Sequence, residues 1–170
     1  MTVKKGYKRF YLSYVEKQRD VDEFRELIGK DSEVILKIES KKGLEYVEKD
    51  FTTYNRSCGH DSFNVRLACA RGDLYVEVDK PHHILAAQKL IIEKDSRAIV
   101  GSRMLLSLFN SNVPACSDLC ELELLRDIGY KSFLLCDDLC KKGSALTRAV
   151  DAFQAFITGC SRRDFVFPRQ

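Results

Sequence analysis

Two short apolar runs, each ending in charged residues, constrain this chain most. Val34-Ile35-Leu36 leads into Lys37 and Glu39, and the run from Val65 to Cys69 leads into Arg71-Gly72-Asp73. Strands buried on both faces of a parallel sheet have this length and this continuous apolar character. Helix-period patterns follow both runs, and the alternation continues along the chain. Strands are predicted over 8–15, 33–39, 63–70, 97–101 and 131–136. Helices are predicted over 19–28, 43–47, 82–93, 103–109, 116–127 and 144–158. Five strand-helix repeats argue an α/β fold built on a parallel sheet. No linker or internal repeat interrupts them, so residues 1–170 are expected to form a single domain.

In such folds the C-terminal ends of the strands carry the ligand site. The two runs therefore deliver one lysine, one glutamate and one aspartate to the same rim. Carboxylate oxygens and an ammonium suit a hard cation and an anionic substrate. Around this frame, Val21, Phe24, Leu27 and Ile28 fall on one face of the first helix, and Gly29 is its stop. Ile84, Ala87 and Ile91 form the apolar stripe of 82–93, widened by Leu85 and Ile92. Leu119, Leu122 and Leu125 are expected inside 116–127, and Ser144 is a candidate N-cap. Residues 48–62, with Cys58 and His60, are polar and turn-forming. His82-His83 reads as a helix start, and Asp137-Asp138 as a capping or solvated turn.

The seven cysteines are odd in number, and Cys69 and Cys136 lie in apolar strand-like runs. That pattern suits free thiols of a reducing, cytoplasmic compartment. Cys116/Cys120 and Cys136/Cys140 share i, i+4 spacing, half of a metal site on one helical face. Structural zinc sites space their cysteines more tightly and no histidine is near, so both pairs are expected to be core thiols. A net charge of +3 is too small to argue for nucleic-acid or membrane-surface binding. No apolar run approaches the length of a membrane span, and no signal peptide is expected behind Lys4-Lys5.

The wording of the segments adds to their spacing. "ILKIESKKGLEYV", "ACARGDLYVEV", "ILAAQKLII" and "GSRMLLSLF" occur in that order, after "YLSYVEKQRDVDEFREL". They resemble the catalytic barrel of the pyruvate kinase family, with its Lys-Ile-Glu, Ala-Arg-Gly-Asp-Leu, Ala-Gln-Lys and Ala-Thr-Gln-Met-Leu segments. The resemblance runs from about Arg9 to Phe156. It starts at the fourth of the family's eight barrel strands and ends with the eighth. It therefore implies the C-terminal five βα units of a TIM barrel, a partial barrel without lid or regulatory domain. Five strands do not close an eight-stranded barrel, so self-association or a partner chain supplying the missing strands is expected.

Residue by residue, the resemblance implies that Glu39 and Asp73 bind a divalent metal, Mg2+ or Mn2+. It implies that Lys37 stabilises the transferring phosphoryl group and the enolate, as a fixed cation beside developing negative charge would. Arg71, Gly72 and Asp73 match the segment whose amides receive the substrate carboxylate, and Ser102 matches the hydroxyl residue near the protonated carbon. The implied ligand is pyruvate or phosphoenolpyruvate. The implied reaction is phosphoryl transfer to a nucleotide diphosphate, the glycolytic kinase step, once the missing half is supplied. Several positions depart from the pattern. Arg103 replaces the glutamine after the threonine, Pro114-Ala115-Cys116-Ser117-Asp118 loses the arginine of Pro-Thr-Arg-Ala-Glu, and Cys136-Asp137-Asp138-Leu139 replaces Ser-Gly-Glu-Thr. Two further readings stand beside this one: a non-enzymatic remnant acting as a binding or regulatory subunit, since the phosphate and nucleotide groups are missing, and a metal-enolate lyase or aldolase acting on a 2-oxo acid, since related barrels need no nucleotide.

Overall fold

The computed structural model describes residues 6–29, 31–51 and 64–159. Cys58, His60 and Cys160 lie outside the described residues. Five strands, β1 (Arg9–Leu12), β2 (Glu33–Ile38), β3 (Val65–Ala70), β4 (Ile99–Gly101) and β5 (Ser132–Leu134), form one sheet in the order β1-β2-β3-β4-β5. Every neighbouring pair is parallel. Doubly wound sheets reverse their strand order at a switch point, whereas barrels add each strand beside the last. The sequential order is that of a barrel, and the sheet does not close: β1 pairs with β2 alone and β5 with β4 alone.

The described residues pack into two compact units. One comprises those through Ser102 together with Leu125–Leu134, and the other Arg103–Leu124 together with those from Leu135 onward. The first holds the sheet. Strand β2 is buried along most of its length, with Val34, Ile35, Leu36 and Ile38 all fully buried, as a central parallel strand requires. The register aligns Ile35 with Arg66, Lys37 with Ala68, Ala68 with Ile99 and Ile99 with Ser132. That face is layered along the strands. Arg66 spans its N-terminal edge, pairing with Glu33 at 3.6 Å and donating to the Arg97 carbonyl and Ser132 Oγ. Ile35, Ala68 and Ile99 fill the middle. Lys37 stands one step further toward the C-terminal ends.

Helices cover the sheet. Helix α1 (Gln18–Ile28) buries Val21 and Ile28 and sets Phe24 edge-on against Phe10 at 6.3 Å. The Asp20 carboxylate accepts from the amides of Glu16 and Lys17 at its start, and Gly29, at φ 83, ends it. Helix α2 (Lys41–Lys49) is capped by Ser40, whose hydroxyl accepts from the Gly43 amide at 3.1 Å. Gly43 is obligatory for packing, because a Cβ there would lie 2.8 Å from the Val15 carbonyl oxygen. Helix α3 (Arg71–Glu77) follows β3 directly, and α4 (His83–Lys94) buries Ala87, Gln88, Ile91 and Ile92. The buried Asp95 carboxylate accepts from the Leu67 amide at 2.8 Å and so anchors the start of β3.

The second unit is helical. A 3-10 turn (Leu106–Phe109), most of α5 (Cys116–Asp127), α6 (Asp137–Lys141) and α7 (Gly143–Gly159) make it up. Lys142 donates to the Phe109 carbonyl at 2.6 Å with its ammonium over the Phe109 ring, and Arg148 donates to the Leu108 carbonyl at 2.9 Å. Among the described residues, no helix is long and apolar enough to cross a membrane.

Several expectations are corrected. The helix expected over 103–109 is a 3-10 turn instead, since Arg103 and Leu105 hold left-handed backbone that an α-helix cannot include. The strand expected over 8–15 ends at Leu12, ahead of left-handed Tyr14. Helix α2 is longer than 43–47 because Ser40 caps it three residues earlier. Asp137-Asp138, expected as a capping or solvated turn, forms the first turn of a short helix whose N-cap is Cys136, and Ser144 lies inside α7 rather than capping it. Leu27 (76% exposed), Leu85 (46%) and Leu119 (38%) face outward, each lying roughly 90° or so to the flank of its helix's buried stripe. Of the expected core thiols only Cys69 is buried; Cys136 is half-buried and Cys116, Cys120 and Cys140 are exposed.

Candidate functional site

The C-terminal end of β2 carries an organised pair of opposite charges. Lys37 and Glu39 are two residues apart and so point to one face of the strand. The Lys37 ammonium donates to Glu39 Oε1 at 2.5 Å and to the Ser13 hydroxyl, from the end of β1, at 3.3 Å. The other Glu39 oxygen accepts from the Tyr14 backbone amide at 2.6 Å. Tyr14 has φ 53, a left-handed turn that no feature of "YLSYVEK" announces. Glu39 is only 1% exposed, whereas the Lys37 side chain is 27% exposed. A buried carboxylate is stable only with such partners. Here it orients an ammonium whose remaining face is open to solvent.

At the end of β3 the segment 70–73 turns directly into α3. The Arg71 side chain lies against the neighbouring strand end rather than opening to solvent. It is buried, and its guanidinium donates to the Gly101 carbonyl at 3.0 Å and the Ser102 carbonyl at 2.6 Å. Arg71 thereby ties the end of β3 to the end of β4. Gly72 then passes close to Ser102: a Cβ on Gly72 would lie 3.3 Å from Ser102 Cβ and 3.4 Å from its hydroxyl. Ser102 itself is held at φ 75, an unfavourable backbone for a residue other than glycine. Its hydroxyl has no hydrogen-bond partner among the described residues. Asp73, in the first turn of α3, is exposed and makes no hydrogen bond or ion pair with Lys37 or Glu39.

The structure thus brings Lys37 to Glu39 directly, and Gly72 to Ser102. It gives Arg71 a scaffolding task that its place in the motif did not announce. Sequence reasoning missed the contacts that the Ser13 hydroxyl and the Tyr14 amide make with the pair. Beneath the rim, burial pushes the Cys69 thiol up to about 12, against a smaller downward pull from Arg71. Burial, with Cys69 as a second cause, also raises the Tyr130 phenol, whose hydroxyl donates to the Gln88 carbonyl at 2.8 Å.

Fold and rim together define an α/β protein with a barrel-ordered parallel sheet and a lysine-glutamate pair at the strand ends. Comparison with curated proteins narrows that class. The chain is 31% identical over 123 residues to pyruvate kinase of Thermoplasma acidophilum, covering 69% of this chain and 21% of that one. It is 31% identical over 127 residues to the Methanocaldococcus jannaschii enzyme, covering 71% and 26%. To the Dictyostelium discoideum enzyme it is 34% identical over 115 residues, covering 60% and 19%. No family model matches the chain. The chain belongs to the pyruvate kinase family, as the counterpart of one region of those enzymes. The match spans about a fifth to a quarter of their length.

The rim's donor set can be weighed against a divalent ion. Among the described residues no three His, Cys, Asp or Glu side chains cluster as a metal cage. Magnesium commonly takes one or two carboxylates and completes its shell with water and substrate oxygens. Glu39, each oxygen carrying one donor, and Asp73, without a hydrogen bond or ion pair among the described residues, are hard-oxygen groups of that kind. In that respect the residues present fit such an ion.

Proposed function

We propose that this chain binds an enolpyruvate-type ligand, pyruvate or phosphoenolpyruvate, together with Mg2+ at the C-terminal ends of β2 to β4. The observation that carries the reading is the Lys37-Glu39 pair, a half-exposed ammonium seated on a buried carboxylate at 2.5 Å. Glu39 and Asp73 would hold the ion, which would supply charge neutralisation for the ligand's oxygens. Lys37 would face the enolate oxygen, where a fixed cation stabilises developing negative charge without reorganising. The amides of Arg71, Gly72 and Asp73 would receive the ligand carboxylate, since Gly72 lets another group approach the backbone closely. The Ser102 hydroxyl, beside Gly72, would pass a proton to or from the ligand carbon.

Family membership supports carrying these roles to this chain residue by residue. Phosphoryl transfer from phosphoenolpyruvate to a nucleotide diphosphate is the reaction we propose for the barrel once completed. Its completion would come from a second copy or another chain pairing beside β1 and β5, in a cytoplasmic setting. The test is a calorimetric titration of oxalate, an enolpyruvate mimic, with and without Mg2+. Binding that requires Mg2+ supports the reading. No heat at millimolar oxalate with Mg2+ present would end it.

A further inference from the structure

We propose that Cys116 and Cys120 form a thiolate site for a zinc-like ion on the surface of the helical unit, independent of the rim. Both lie within α5 (Cys116–Asp127), both are exposed, and their sulfurs stand 3.9 Å apart. Two sulfurs at that separation, each about 2.3 Å from a shared ion, subtend about 116° at it, close to a tetrahedral angle. The sulfurs already stand at the separation that an ion would impose.

A disulfide fits the same pair poorly. It needs Cβ atoms about 3.8 Å apart, whereas i, i+4 positions on a helix hold them about 5–6 Å apart. An ion bridges the sulfurs without compressing the helix. A divalent cation bound between the sulfurs takes the place of both thiol protons. Binding releases those protons to solvent, with no change of oxidation state. Two waters complete a four-coordinate ion.

The second pair supplies an internal comparison. Cys136 and Cys140 have the same spacing, but Cys136 is the residue before α6 rather than inside it. It is half-buried while Cys140 is exposed, and among the described residues the sulfur-sulfur contact joins the other pair. Spacing is shared; convergence is not.

The experiment is Zn2+ titration of the full reduced chain against a chromophoric chelator, followed by Co2+ titration read at the thiolate-to-cobalt charge-transfer band. The wild-type chain is expected to take one ion. Cys116→Ser and Cys120→Ser should each weaken binding by roughly tenfold or more, and the Cys136→Ser/Cys140→Ser chain should bind as wild type does. Far-ultraviolet circular dichroism of each variant checks that the helices persist. Three results would each overturn the proposal: no ion bound by the wild type, binding unchanged in both the Cys116 and Cys120 variants, or binding lost only with Cys136 and Cys140.

Discussion

Replacing Arg71 tests whether its side chain is a strap between two strand ends. The guanidinium is 8% exposed and donates to the carbonyls of Gly101 and Ser102. A hydrogen bond from a charged donor contributes roughly 1.5–3 kcal/mol net. Lysine keeps the charge but cannot fork across two carbonyls, so Arg71→Lys should lose one bond and cost roughly 1.5–3 kcal/mol. Methionine retains the stem and leaves both carbonyls without their charged donor, so Arg71→Met should cost roughly 3–6 kcal/mol. A chain of this length loses about 2–4 °C of melting temperature per kcal/mol. The lysine variant should therefore melt about 3–12 °C below wild type, and the methionine variant lower still. Differential scanning calorimetry reads both. Should Arg71→Lys melt within a degree of wild type, the strap is not what holds the β4 end, and Ser102 owes its left-handed turn to something else.

Three other outcomes follow from the packing. Gly43→Ala should cost about 1–3 kcal/mol in urea unfolding, because the new methyl meets the Val15 carbonyl, a backbone atom that cannot step aside. A Gly43→Ala chain as stable as wild type would contradict that contact. Cys69 is neutral when protonated and its folded value is raised, so its contribution to stability is complete below about pH 9. That contribution should fall by roughly 1.4 kcal/mol per pH unit between there and about 12. Cys69→Ala should flatten this part of the profile, leaving a smaller alkaline decline from Tyr130; an unchanged slope would remove Cys69 as its source. Finally, among the described residues β1 has one edge unpaired, and Tyr11 within it and Tyr7 and Tyr14 beside it are exposed. Sedimentation should give a mass above that of a single chain, and Tyr11→Lys should lower it. A monomer at all concentrations would count against assembly through this edge.

Much of the fold was legible because a few residues carry it. The apolar runs at Val34–Ile38 and Val65–Cys69 needed no context to be recognised as buried parallel strands, and α5 coincides with its predicted span of 116–127. Lys37 and Glu39 were legible as rim residues since period two fixes their common face. What escaped was backbone geometry without a compositional mark. Tyr14, Ser102, Arg103 and Leu105 are left-handed where neither glycine nor asparagine signals it. The side-chain direction of Arg71 escaped for a different reason. Within the motif it stands beside ligand-facing positions, and only the proximity of the β4 carbonyls turns it inward. The cysteine pairs show the limit of spacing as a signal, since two identical i, i+4 pairs differ in whether both members lie inside a helix.

The account rests on one ammonium held by one buried carboxylate at the end of β2, so the most direct measurement is Mg2+-dependent oxalate affinity across four chains. Wild type should bind only with Mg2+. Lys37→Met and Glu39→Gln should each weaken binding by roughly a hundredfold, the loss of a charged hydrogen bond or ligand worth about 2–3 kcal/mol. Asp73→Asn should weaken the Mg2+ dependence while leaving the fold intact. Oxalate affinity that is indifferent to Mg2+, or unchanged in Lys37→Met and Glu39→Gln, would contradict the account.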